Sequence, residues 1–142
     1  MKLRLLMLGK TRRPELRAVV EDYVKRISCH SPIEIDEVRD EAAALKHLDA
    51  ERAATVILLD AAGKTLDSNA FAKWLADHRY RGTRELIFLC GGADGFPDSL
   101  RSRAHQKLSL GSMTFSHELA RAILAEQLYR AFAILSGSPY PK

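Results

Sequence analysis

The chain has 142 residues, 46% of them hydrophobic and 28% charged, with a formal charge of +4 and no repeat or low-complexity tract. This composition excludes intrinsic disorder and solenoid architectures, and the length fits a single domain, 1–142, whose core buries about two-thirds of the unfolded surface. No apolar run reaches the roughly 18 residues of a membrane span, and the opening stretch, broken by Arg4, is too short for a secretory signal, so no membrane contact and a cytoplasmic location are expected.

Residues 2–9 read as a first strand that ends at a glycine. Pro14 suits the first helical position, and Leu16, Val19, Val20, Tyr23, Val24 and Ile27 then fall on one helical stripe. Basic residues crowd this opening region: Lys2, Arg4, Lys10, Arg12, Arg13, Arg17, Lys25 and Arg26 face only Glu15, Glu21 and Asp22. Such a face contacts phosphates or is simply a solvated helix surface, and the absence of interleaved aromatics argues against a base-stacking platform there.

Residues 33–38 alternate apolar and acidic, which predicts a half-exposed strand near a sheet edge, and Asp40 can cap a short helix carrying Leu45 and Leu48. The continuous apolar run 55–60, closed by Ala61-Ala62-Gly63-Lys64, predicts a strand buried on both faces at the sheet centre. Asp67 or Ser68 can cap a third helix whose inner stripe is Phe71, Trp74, Leu75 and His78, with His78 read as a core residue. Residues 86–90 form the next buried strand, ending in Cys90. Neither Cys90 nor Cys29 has a metal or redox spacing, and both are expected to be free thiols.

Strands separated by helices imply an open parallel sheet with helices on both faces, an α/β architecture in which ligands sit beyond the carboxyl ends of the strands. The turns after Leu59, Leu89 and Leu110 lie at such ends, so Gly63, the Gly91–Gly95 turn and Gly111 should converge. The glycine turn lacks the dinucleotide order Gly-x-Gly-x-x-Gly, and no Gly-Lys-Ser/Thr supplies a phosphate loop. A nucleotide-like ligand bound there need carry no phosphate. The final helix should run over 117–135, capped by Ser116 and stopped by Gly137, and its apolar face is broad enough to serve a second partner surface, a homodimer.

The glycine turn after a strand, Leu110-Gly111-Ser112-Met113-Thr114-Phe115 with His117, Leu119-Ala120-Arg121, the stretch Ala125 to Ala131 and the terminal Pro139-Tyr140 together resemble the bacterial ribosomal RNA large-subunit methyltransferase H family. That family belongs to the SPOUT methyltransferases. The resemblance covers the whole chain, and it implies a C-terminal trefoil knot, which periodicity alone would never indicate. It further implies a homodimer that binds S-adenosylmethionine, needs no metal, and methylates N3 of a pseudouridine in 23S rRNA within the ribosome.

Carried over residue by residue, the resemblance places the cofactor on Leu59, Gly92, Leu110, Gly111, Ser112, Met113, Thr114 and Phe115, and the catalytic groups on Arg130, Tyr140 and Lys142. Apolar contacts and backbone hydrogen bonds suit a phosphate-free adenosyl ligand. The tail departs from the family pattern, since Pro141 follows Tyr140 and Ser138 precedes Pro139 where the family usually carries histidines. A catalytically impaired RNA- or ribosome-binding dimer on the same scaffold is therefore the alternative.

Overall fold

The computed structural model describes residues 1–140, so Lys142 lies outside the described residues. In chain order the elements are β1 (Lys2–Leu8), α1 (Pro14–Ile27), β2 (Ile33–Val38), α2 (Glu41–Ala50), β3 (Thr55–Thr65), α3 (Ser68–Tyr80), β4 (Glu85–Cys90), α4 (Asp98–Arg101), β5 (Gln106–Ser109) and α5 (His117–Ser136). The strands form one sheet in the order β2-β1-β4-β3-β5, and every pair is parallel.

Alternation along β1 distributes its side chains to the two faces of the sheet. Leu3, Leu5 and Met7 join the core beneath α1, α3 and α5, whereas Leu6 joins the opposite core beneath α2 and α4. Arg4 is tolerated inside the sheet because its guanidinium pairs with Glu85 on β4 at 2.9 Å and with Asp36 and Glu34 on β2. Burying a cation costs least when its donors are used in this way.

The strand at the sheet centre is β4, not the 55–60 run. All six β4 residues are buried, whereas β3 loses its apolar character at Asp60 and continues as a partly exposed strand to Thr65. The turn expected at 61–64 is instead a register shift: Leu59 and Lys64 both align with Leu108 of β5. Gly63 makes this crossing possible, since a Cβ there would lie 2.7 Å from the Lys107 carbonyl carbon. As expected, β2 is an edge strand, Pro14 begins α1, and Asp40 and Asp67 accept hydrogen bonds as helix caps.

The helix α4 is a single turn of four residues after Pro97, too short to show a helical period in the sequence. His78 is buried and its Nδ1 lies 2.9 Å from the Thr83 hydroxyl, consistent with a core role. α5 is wedged between α1 and α3, and this packing within the chain occupies most of the broad apolar face that had pointed to a partner. Val19 and Leu119 remain outside it, each 39% exposed.

Candidate functional site

Three chain segments meet beyond the carboxyl ends of β4 and β5, beside the register shift in the middle of β3, around a cavity of about 210 Å³. Leu59, Asp60 and Ala61 come from β3; Gly91, Gly95 and Phe96 follow β4; Leu110, Gly111, Met113, Thr114 and Phe115 follow β5. His117 and Ala120 close it from the first turns of α5. Six of the eight residues assigned to the cofactor therefore share one cavity. Ser112 lies within the same segment without lining the cavity, and Gly92 lines the adjoining groove with Leu8 and Gly9.

Gly92 serves a close backbone approach. Its amide segment closes a tight turn, with the Gly95 N–H donating to the Gly92 carbonyl at 3.1 Å, and a Cβ on Gly92 would stand 3.0 Å from the Leu8 carbonyl oxygen. A larger residue would push apart the ends of β1 and β4. Cys90 contributes to the wall only as an apolar group, because burial pushes its thiol up to about 12.

Asp60, which no motif in the sequence marks, places a charge at the cavity. Arg101 donates to its carboxylate at 2.7 Å and the Ala62 N–H at 3.2 Å, and these two donors hold the carboxyl below its usual range. No sequence signal marks this pair, since Arg101 ends the single-turn helix α4, far from Asp60 along the chain. Such a carboxylate accepts hydrogen bonds from hydroxyl or ammonium groups of a ligand.

Tyr140 and Arg130 form a second cluster on the flank of α5. The Tyr140 hydroxyl donates to Glu126 Oε2 at 2.6 Å, and Arg130 holds the same carboxylate with contacts of 3.0 and 2.8 Å. Tyr23 of α1 brings its hydroxyl to 3.2 Å from that of Tyr140, and the Arg130 guanidinium lies 5.2 Å from the Tyr140 ring centre. Burial, then the bonds to Glu126 and Tyr23, raise the Tyr140 pKa, so the phenol keeps its proton at neutral pH. It is a donor, not a base.

Neither Tyr140 nor Arg130 lines the cavity. Ala120 does, and Arg130 comes ten residues later on α5, which corresponds to about 15 Å along the helix. Glu126 was legible only as the i, i+4 partner of Arg130; its bond to the tail depends on the chain folding back after α5.

A third feature fixes the basic loop between β1 and α1. Glu118 accepts the Arg12 and Arg13 amides at 3.0 and 2.9 Å, which holds its carboxyl below the usual range. The fully buried Arg121 donates to the Thr11 hydroxyl at 2.9 Å and the Leu8 carbonyl at 2.7 Å. These bonds leave Lys10, Arg12 and Arg13 exposed on a loop of defined shape. Among the described residues no group of three His, Cys, Asp or Glu could hold a metal ion, and no helix is long and apolar enough to cross a membrane.

The chain is 43% identical over 151 aligned positions to the ribosomal RNA large subunit methyltransferase H of Trichlorobacter lovleyi, covering 99% of both chains. It is 46% identical to the protein of the same name from Solibacter usitatus, again over 99% of both. Among solved structures, a probable methylase family protein from Haemophilus influenzae superposes with a TM-score of 0.62 at 10% identity, over 99% of this chain and 70% of that one. The SpoU methyltransferase AviRb from Streptomyces viridochromogenes, solved in complex with AdoMet, gives 0.51 at 11% identity, over 97% of this chain and 61% of that one. The family described as predicted SPOUT methyltransferase matches residues 1–141, and with these relatives it shows that this chain belongs to the SPOUT methyltransferase family.

Proposed function

We propose that this chain, as one domain, is an S-adenosylmethionine-dependent methyltransferase acting on N3 of a pseudouridine in 23S rRNA of the large ribosomal subunit. The observation that carries the reading is the convergence of Leu59, Leu110, Gly111, Met113, Thr114 and Phe115 on one cavity in a member of this family. Apolar walls beside bare glycine backbone fit an adenosyl group without phosphates, and Asp60 adds an acceptor for its polar end. When bound, the cofactor supplies a methyl on a sulfonium whose leaving group is neutral, so departure needs no general acid. The meeting of the 91–96 and 110–115 segments at this cavity also supports the family's trefoil knot.

What the protein must then supply is alignment of the base and removal of the N3 proton. Arg130 offers a cation for a phosphate or a base carbonyl, and Tyr140 offers a hydroxyl donor that Glu126 and Tyr23 hold in place. The separation of this cluster from the cavity, from about 9 Å at Glu126 to about 15 Å at Arg130 along α5, supports a homodimer in which the cavity of one protomer faces the tail cluster of the other. Exposed Val19 and Leu119 offer that dimer an apolar contact. A cytoplasmic location follows from the ribosomal substrate.

Calorimetric titration with S-adenosylhomocysteine tests the cofactor; a folded protein that takes up none defeats the proposal. Incubation with ribosomes lacking the modification, followed by mass spectrometry of the RNA, tests the reaction. The second reading, a binding dimer that has lost catalysis, is motivated by Ser138 and Pro141 in the tail. Cofactor uptake with unmodified RNA after long incubation would select it.

A further inference from the structure

At the β5 edge of the sheet, α3 and β5 border an open groove of about 670 Å³. Its apolar floor includes Ile57, Leu108 and the Trp74 indole, which is stacked on Phe71 and donates to Gln106 at 3.0 Å. At its mouth stands Tyr80, the last residue of α3, which is 95% exposed and makes no side-chain hydrogen bond among the described residues. Lys64, Arg81 and Lys107 line the same groove against one carboxylate, Asp77, and none of the three forms an ion pair among the described residues.

The last turn of a helix favours cations in any protein, which accounts for Arg79 and Arg81. It does not account for Lys64 and Lys107, which two strands bring to the same groove, nor for a tyrosine ring left bare beside them. An exposed aromatic ring that lines one groove with cations outside any ion pair suits single-stranded nucleic acid, the ring stacking on a base and the cations meeting phosphates. Leu66 and Leu108 are shared with a neighbouring groove that contains Leu110, and Leu110 opens onto the cavity at the strand ends. From Gln106 to Leu110 the path is about 13 Å, a reach that a short single strand covers.

We propose that this groove is a second RNA contact, in which an unpaired base of the ribosomal RNA stacks on Tyr80 while Lys64, Arg81 and Lys107 neutralise the adjoining phosphates. This rests on the RNA substrate proposed above and extends it to a surface outside the reacting centre. Fluorescence anisotropy with a labelled, unstructured oligouridylate reads the contact directly. Tyr80→Ala should weaken binding about tenfold and Tyr80→Phe should retain it, since the ring face is what stacks. The double variant Arg81→Ala/Lys107→Ala should flatten the dependence of log affinity on log salt by about 1.4, roughly 0.7 per lost phosphate contact. With ribosomes, Tyr80→Ala should raise KM and leave kcat and S-adenosylhomocysteine binding unchanged.

Oligonucleotide affinity unchanged in Tyr80→Ala overturns the proposal. So does an equal loss in Tyr80→Phe, which would assign the effect to the hydroxyl. A defect seen with ribosomes and absent with naked RNA overturns it in favour of an acidic ribosomal protein as partner. If the wild-type chain fails to methylate ribosomes while the Tyr80 effect on oligouridylate persists, only the methyltransferase reading falls.

Discussion

The cavity beyond the strand ends and the cluster around Tyr140 hang on opposite halves of one helix, yet they are built from different materials. The cavity is walled by main-chain bends and apolar side chains, with an ion pair at Asp60 and Arg101. The cluster is made of side chains that hold one another: two tyrosine hydroxyls, a carboxylate and a guanidinium. Shape and apolar contact discriminate a neutral adenosyl group, whereas charged hydrogen bonds orient a polynucleotide and depend on every member being present. The first region should therefore tolerate loss of one side chain, and the second should not.

The largest effect should come from the element both regions share. Leu128 is fully buried in α5 against α1 and α3, and Leu128→Ala should cost about 2–5 kcal/mol and lower Tm by roughly 5–15 °C, as calorimetry would show. Cofactor uptake and methylation should fail together on heating. Separate loss of the two would show that α5 does not couple them.

Glu126→Gln should separate the regions. It weakens the hold on Tyr140 and Arg130 at once, so methylation of ribosomes should fall about a hundredfold, while S-adenosylhomocysteine titrates as in the wild type. Undiminished turnover in that variant would remove the cluster from catalysis. Met113→Ala should do the reverse on a smaller scale. Met113 lines the cavity yet is 77% exposed, so its truncation should weaken cofactor binding about fivefold with stability unchanged.

The smallest effect concerns pH. Asp60 has its pKa depressed by Arg101, so the stabilisation it adds is complete above its unfolded value of about 3.9 and is lost as pH falls through the lower folded value. Arg101 is partly exposed, which limits the contribution to below about 1 kcal/mol. Asp60→Asn should therefore melt slightly below the wild type at pH 7, and the two melting curves should converge below about pH 4. A constant gap down to acid pH would mean that the carboxylate charge is irrelevant there.

Local rules written in the chain determined most of the framework. The period of apolar residues and the capping side chains set the strands and helices, because each depends on neighbours within a few positions. The turns after β4 and β5 also located the cavity, since a parallel sheet delivers its carboxyl ends to one side, whereas Gly63, expected to join them, lies within β3 against Lys107 and does not line it. Tertiary structure alone decided the rest. That β4 rather than β3 is central, that Gly63 crosses Lys107, that Arg101 reaches Asp60 and that the tail returns to Glu126 are pairings between residues distant in sequence. Such pairings carry no local periodicity, and they exist only once the sheet order and the packing of α5 have brought the partners together.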